Sequence, residues 1–436
     1  MARFTERRWQ SQPGLAPGVS EQQPRTYAAY TPDYLRGRQV RLSAELAREV
    51  TEVDQLVRAF NDSAPTSPHL ESLARFLLRS EAVASSRIEG VVASARAIAH
   101  LELMLATKAG DEPRAGIGDS AREVVNNVLA LRKAVTALTS TSCVTVDDIN
   151  GLQAALMVET EQHDLAGNLR EVQNWVGGNA YGPHGAEYVP PAPEMVEPLM
   201  EDLAAFISAD QPLPLVQAAL VHAQFETIHP YADGNGRTGR ALIHTVLARQ
   251  GLAVGHVLPI SMSLLAHARE YIAGLEAYRY NGDADSAAAM DGTEAWIRVF
   301  LAATRDAVAE ARRFTDELGQ MRDLWQARLA NYRESRGLRP HPRKGAAVVR
   351  LMEQLPGVPV LTARAAGSLL KTSFVSASKA LEELAGAGIV QVKDAERGTR
   401  AFLASDVLDL INGAERRLTY TKWSLPDLGV ESAGRA

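Results

Sequence analysis

Residues His222 to Arg240 read HAQFETIHPYADGNGRTGR, and this stretch decides how the rest of the chain is to be understood. It packs histidines, carboxylates, glycines, amides and two arginines too densely for an ordinary loop. Gly234 and Gly236 permit backbone conformations and close approaches that a Cβ would obstruct, so successive N–H groups there can surround an anion. A phosphate is the natural guest. The helix expected to follow adds the positive end of its dipole. Arg237 and Arg240, three residues apart, are expected to project from one side of its first turn and clamp a di- or triphosphate. Asp233 offers a hard oxygen ligand of the kind that holds Mg²⁺ together with substrate phosphates. His229, just before Pro230, is expected to face the reacting phosphate as a base with a pKa near neutrality.

Other readings of the same residues fail on context. Gly234, Gly236 and Gly239 satisfy G-x-G-x-x-G, but that dinucleotide fingerprint needs a preceding β-strand, and Leu215, Ala218, Ala219, Phe225 and Ile228 recur at helical spacing. No Gly-Lys-Ser/Thr follows, which removes a Walker A loop. His222 and Glu226, four apart on that helix, read as a polar contact supporting the loop rather than as metal ligands together with His229.

Outward from this stretch the chain reads as mainly α. Helical periodicity marks Val124 to Leu138, Val146 to Met157, Leu215 to Ile228, Thr238 to Arg249 and Glu294 to Glu317, and a helical N-terminal region from Thr31 to Leu105. Asn174 to Pro191, NWVGGNAYGPHGAEYVPP, suits a short hairpin. Arg336 to Gly345 reads as a Pro- and Arg-rich linker. Beyond it Ala346 to Leu355, Thr362 to Leu370 and Phe374 to Ala385 have helix-turn-helix spacing, and a hairpin around an Ala-Glu-Arg-Gly turn follows, an arrangement resembling a winged helix. The divisions expected are an N-terminal helical region (1–110), a core (111–335), the linker (336–345) and the winged-helix-like domain and tail (346–436).

Composition bounds the function. With 46 Lys and Arg against 52 Asp and Glu the net charge is -6, so no global electrostatic case exists for nucleic acid or an anionic membrane. The C-terminal segment carries a basic surplus of only two from Pro359 to Ala404, which leaves DNA weakly supported there against a docking or dimerisation role, including a homodimer. One cysteine, Cys143, cannot form a disulfide within the chain. The N-terminus lacks the apolar stretch of a signal peptide, and no run of about 18 apolar residues is present, so the expectation is a cytoplasmic protein without a membrane partner.

His229, Pro230, Tyr231, Asp233, Gly234, Asn235, Gly236, Arg237 and Arg240 resemble the H-P-F-x-[D/E]-G-N-G-R-x-x-R motif of Fic proteins, with Tyr231 in place of the usual Phe. That resemblance implies a helical core that transfers AMP from ATP, with Mg²⁺, to a Ser, Thr or Tyr hydroxyl of a protein, which can be the enzyme itself. It implies that His229 deprotonates the target hydroxyl, Asp233 coordinates Mg²⁺, Gly234, Asn235 and Gly236 hold the phosphates, and Arg237 and Arg240 bind toward the distal ones. The segment Glu187, Tyr188, Val189 resembles the family's flap, which receives the target as an added strand. Ser85 to Gly90 resembles its inhibitory motif [S/T]-x-x-x-E-[G/N], so Ser85, Glu89 and Gly90 are the expected inhibitory residues and Glu89 the expected partner of Arg240. Removal of AMP or another phosphate-group transfer at the same site, and an ATP-sensing DNA-binding regulator, remain open alternatives.

Overall fold

The computed structural model describes residues 1–10, 24–63, 69–94, 97–98, 101–102, 118–158, 160, 163–179, 181–253, 255–394, 400–418, 423 and 425. It is mainly α-helical, with two small antiparallel sheets. The chain opens on β1 (Arg3–Trp9) and β2 (Arg25–Thr31), paired from Arg3 opposite Thr31 to Trp9 opposite Arg25. This hairpin lies upstream of the helical periodicity expected from Thr31 to Leu105 and adds strands to the N-terminal region. Aromatic residues distributed along both strands favour a pleated surface, and Phe4 on one packs against Tyr30 on the other at 4.9 Å between ring centroids.

Helices α1 (Ala44–Ser63) and α2 (His69–Ile88) follow. In α1 the buried set Leu46, Val50, Val53, Val57 and Phe60 alternates steps of four and three, the stripe that turns one helical face inward. Next come α3 (Asp119–Ser140) and α4 (Val146–Leu156). Thr145 and Asp148 form a reciprocal capping box at the start of α4, satisfying donors that a helix N-terminus leaves unpaired. The boundary expected near residue 110 lies outside the described residues.

Helix α5 (Val196–Ser208) leads into α6 (Pro214–Ile228) and α7 (Asn235–Arg249). Helix α6 is buried on nearly every side, as a helix apolar all round must be, and is the axis about which the core is built. Then α8 (Ile260–Ala266), α9 (Ala268–Tyr278) and α10 (Ala287–Ser335) close over it. Trp296 on α10 is fully buried and donates its indole N–H to the Ala219 carbonyl of α6 at 2.7 Å.

Helix α10 is 49 residues long, far beyond the Glu294 to Glu317 expected, because it serves two bodies. Its first half faces α6 and α1; its second half carries the C-terminal elements. These are α11 (Ala347–Gln354), β3 (Val360–Thr362), α12 (Ala363–Leu370), α13 (Phe374–Gly386), β4 (Gln391–Asp394), β5 (Arg400–Leu403) and α14 (Ser405–Leu418). The strands lie in the antiparallel order β3-β5-β4; the expected Ala-Glu-Arg-Gly turn lies outside the described residues. Trp325 Nε1 and Arg328 Nη1 of α10 both donate to Asp406 Oδ2 at the start of α14, at 3.0 and 3.1 Å. Helix α2 touches this body too, since Ser72 Oγ donates to the Glu353 carbonyl at 2.6 Å and Arg79 Nη2 to that of Gly357 at 3.3 Å. Phe374 and Val375, at the start of α13, are each 60% exposed, an apolar beginning for the helix that would have to read a base edge. Among the described residues no helix is long and apolar enough to cross a membrane.

Candidate active site

Helix α6 ends at His229, whose backbone is left-handed at φ 49°, ψ 60°, a conformation costing roughly 1–2 kcal/mol for a residue with a Cβ. Its N–H closes the last turn on the Phe225 carbonyl at 2.9 Å, and Pro230 prevents the helix from continuing. Helix α7 begins six residues after His229 at Asn235, earlier than the expected Thr238, with Gly234 as its cap at φ 78°. The two helices are therefore joined by a tight bend that leaves the N–H groups of residues 235–237 without intrahelical acceptors.

Side chains hold the bend from within. Tyr231 is fully buried, and its hydroxyl donates to Asn150 Oδ1 of α4 at 2.8 Å, the polar partner a Tyr needs where a Phe would need none. Asn235 Oδ1 accepts from the Tyr231 N–H at 2.9 Å, and its Nδ2 donates to the Tyr231 carbonyl at 2.8 Å. Gln153 Nε2 donates to the Asp233 carbonyl at 3.0 Å. Tyr231→Phe is expected to cost about 1 kcal/mol, one net hydrogen bond, measured as a fall in the free energy of unfolding in denaturant with the slope unchanged.

The three glycines differ in purpose. Gly234 supplies the left-handed turn. A Cβ on Gly236 would lie 1.9 Å from Glu89 Oε1, and one on Gly239 would lie 2.5 Å from Glu226 Oε1. Gly239 is therefore required by the close approach of α6 and α7, whereas Gly236 is covered by a carboxylate brought from the end of α2.

The two arginines diverge instead of forming one clamp. Arg237 Nη1 donates to Glu123 of α3 at 2.9 Å, and its Nη2 lies 3.6 Å from Asp233 Oδ2. Arg240 is buried and turns to α2: Nε donates to Ser85 Oγ at 2.9 Å, and Nη2 to the Ser85 carbonyl at 2.7 Å and Glu89 Oε1 at 2.9 Å. Burial works against the charge on Glu89, but Arg240, with Arg237 and His229 behind it, holds the carboxyl below its ordinary range. Gly90, at φ 78°, ends this segment. Asp233 is 46% exposed, and its Oδ1 accepts the Gly234 N–H at 2.6 Å.

His229, Gly236, Arg240, Glu89, Tyr188 and Tyr271 line one cavity of about 270 Å³. Burial, and secondarily the charge of Arg170, lowers the His229 imidazole to about 4, while Glu89 and a hydrogen bond to the Glu226 backbone push the other way. This corrects the expectation of a pKa near neutrality: the stretch alone does not reveal how completely the ring is enclosed. Glu226 lines the same cavity, and burial raises its carboxyl to about 7. His222 is held to about 3 by burial and meets Tyr271 through Nε2 at 2.8 Å, with Nδ1 4.0 Å from Glu226.

Among its described residues the 174–191 segment forms isolated bridges, Val176 opposite Tyr188 and Asn179 opposite Gly182, instead of a full ladder. Glu187 folds over Gly177, where a Cβ would meet it at 2.8 Å, and with Tyr188 faces the cavity. The Val189 carbonyl accepts the Tyr30 N–H of β2 at 3.0 Å. Trp9 of β1 packs edge-on to Trp175 at 5.3 Å and donates to the Tyr181 carbonyl at 3.1 Å. Neither this brace nor the supporting residues Glu123, Asn150, Gln153, Arg170 and Asn174 carry a local motif; each is recognisable only once distant helices meet.

Residues 143–247 match the model of the Fic/DOC family, and residues 43–136 match that of the Fic/DOC family N-terminal region. The protein adenylyltransferase Fic of Nematostella vectensis is 35% identical over 135 residues, which is 29% of each chain. That of Drosophila grimshawi is 31% identical over 136 residues, 30% of this chain and 26% of its own. The chain thus spans less than a third of the length of these relatives. A Fic family protein from Desulfovibrio desulfuricans G20 superposes with a TM-score of 0.47 at 20% identity, covering 83% of this chain and 97% of its own. Two adjoining family models thus meet over residues that line this cavity, Glu89 in the first and His229, Gly236 and Arg240 in the second, and residues 43–136 and 143–247 carry the N-terminal and Fic/DOC regions of that family.

Proposed function

We propose that this chain transfers AMP from ATP to a protein hydroxyl and that its own Glu89 restrains the reaction. The observation that carries the reading is the carboxylate of Glu89 lying over Gly236 at the start of α7 while paired with Arg240. A helix N-terminus with free N–H groups and a guanidinium is an anion site, and here a side-chain anion occupies it. The relatives are named adenylyltransferases, which supports a nucleotide phosphate as the anion that Glu89 mimics.

In this mechanism the imidazole of His229, neutral at pH 7 because burial lowers it to about 4, accepts the proton of a Ser, Thr or Tyr hydroxyl. The hydroxyl oxygen bonds to the α-phosphorus, the bond from that phosphorus to the bridging oxygen breaks, and pyrophosphate leaves. An isolated imidazole of such low basicity is a weak proton acceptor. The negative polyphosphate raises its proton affinity on arrival, so the base strengthens when substrate is present. Glu187, Tyr188 and Val189 are the flap residues that would receive the target backbone, through groups other than the Val189 carbonyl already bonded to Tyr30 and the Tyr188 groups already bonded to Val176.

Asp233 fits Mg²⁺. Among the described residues no group of three or more His, Cys, Asp or Glu forms a protein cage, and Mg²⁺ is characteristically shared between one or two carboxylates and substrate phosphates. Bound there with the phosphates, Mg²⁺ would neutralise charge on the leaving group. Asp233→Ala is expected to lose about tenfold, ~1.4 kcal/mol, of the gain in ATP affinity that Mg²⁺ confers, measured by titration calorimetry with and without the metal. An unchanged Mg²⁺ response would remove Asp233 from that role.

ATP labelled at the α-phosphate and ATP labelled at the γ-phosphate separate the possible transfers. Protein-bound label from the first alone is expected; label retained from the second would establish phosphoryl transfer instead.

A further inference from the structure

Carbonyl groups at the end of a helix have no intrahelical donors, and those closing α6 are satisfied by one short segment. Arg170 is buried, 6% exposed. Its Nε donates to the His229 carbonyl at 2.9 Å, its Nη2 to the carbonyls of Ile228 at 3.3 Å and Pro191 at 2.5 Å, its Nη1 to that of Val172 at 3.2 Å, and its backbone N–H to that of Pro230 at 2.9 Å. Asn174 Nδ2 adds bonds to the carbonyls of His229 and Tyr231, both at 3.1 Å. The Tyr188 hydroxyl takes the Thr227 carbonyl at 2.5 Å. Every carbonyl from 227 to 231 is thereby held by residues 170–188, and the guanidinium spends its donors on main-chain oxygens.

We propose that Arg170 is the positioning residue of the catalytic loop, fixing His229 in its left-handed conformation and joining that loop to the base of the flap at Pro191. Three features support it. A left-handed non-glycine residue persists only where its surroundings over-determine it, and Arg170 binds the carbonyls before, at and after His229. A cation at a helix C-terminus is favourably placed against the macrodipole. The planar fork reaches Ile228, His229, Pro191 and Val172 at once, a geometry that a lysine ammonium on its flexible stem cannot reproduce. Base and flap therefore move as one unit, so the proton acceptor and the edge that presents the target hydroxyl keep a fixed relation.

This inference rests on the assignment of His229 as the base, and the test separates the two. Arg170→Lys keeps the charge and loses the fork; Arg170→Met loses both. The ring of His229 is titrated by NMR in the ligand-free full chain, which needs no transfer activity. Its titration is faced by Arg170, Arg279 and Glu89. In Arg170→Met, removal of a nearby cation is expected to raise the midpoint by about half a unit or more, with the midpoint kept closer to wild type in Arg170→Lys. Both variants are expected to lose about tenfold in the rate of transfer with the ATP dissociation constant within threefold, because misplacement of the base affects the reaction and not the cradle. If Arg170→Met does not fold, Arg170→Lys decides the matter by the same split between rate and affinity. A folded Arg170→Lys protein with wild-type transfer would overturn the proposal. So would a rate and an affinity that fall together. If wild type transfers no AMP while the His229 midpoint still rises in Arg170→Met and stays near wild type in Arg170→Lys, Arg170 is sustained and the proposed reaction is removed.

Discussion

His229→Ala is expected to lower AMP transfer by roughly 10²- to 10⁴-fold, the span of a positioned general base, while the ATP dissociation constant stays within a few-fold. The separation follows from geometry. The anion site consists of the start of α7, Gly236 and Arg240, and the imidazole contributes no hydrogen bond to it; its bond is to the Glu226 backbone on α6. Because residue 229 sits at φ 49°, alanine also carries backbone strain, and His229→Asn is the companion variant, since asparagine enters the left-handed region more readily. Both should be equally inactive if the imidazole is the base. Asparagine restoring transfer to within tenfold of wild type would show that backbone geometry, and not proton acceptance, was lost.

Much of this site was legible in the chain itself. The run from His229 to Arg240 announces a glycine-lined anion site entering a helix, and the end of α2 does meet it, with Ser85 and Glu89 both on Arg240. The helical repeats locate α3, α4, α6 and α7 to within a few residues. What periodicity misses has physical causes. Helices α8 and α9 are short and separated only by His267, so neither offers enough turns for a pattern. Helix α10 continues past its apolar run because a second body packs along its far half. The opening hairpin has Arg3, Arg7 and Arg8 between its apolar residues, which blurs the two-residue alternation. The low pKa of His229 arises first from burial among residues brought from distant parts of the chain and then from the charge of Arg170, and no spacing betrays either.

Glu89→Gly is expected to raise AMP transfer, self-modification included, by at least about tenfold, or ~1.4 kcal/mol in the barrier. In the resting protein the Glu89 carboxylate occupies the space over Gly236 and neutralises Arg240. Under the proposed restraint ATP then binds only with its phosphates displaced, and a misplacement of about 1 Å at the reacting centre can cost on the order of a hundredfold. The fold tolerates the change well. Glu89 lies just beyond the last residue of α2, so the helix penalty of glycine is largely avoided, and its side chain is 36% exposed. Arg240 stays oriented after the change because Ser85 still accepts from Nε and Nη2. Asn127 Nδ2 also continues to hold Ser86 Oγ at 3.0 Å and the Ala82 carbonyl at 2.9 Å, keeping α2 against α3.

Restraint by Glu89 depends on its coupling to Arg240, and transfer of α-phosphate label from ATP by wild type, Glu89→Gly and Glu89→Gly with Arg240→Ala measures it directly. The expected order is a low wild-type rate, a rise of at least about tenfold on removing Glu89, and loss of most of that rise when Arg240 is also removed, since partners in one ion pair do not act additively. A Glu89→Gly protein that folds, binds ATP and transfers label no faster than wild type would contradict it.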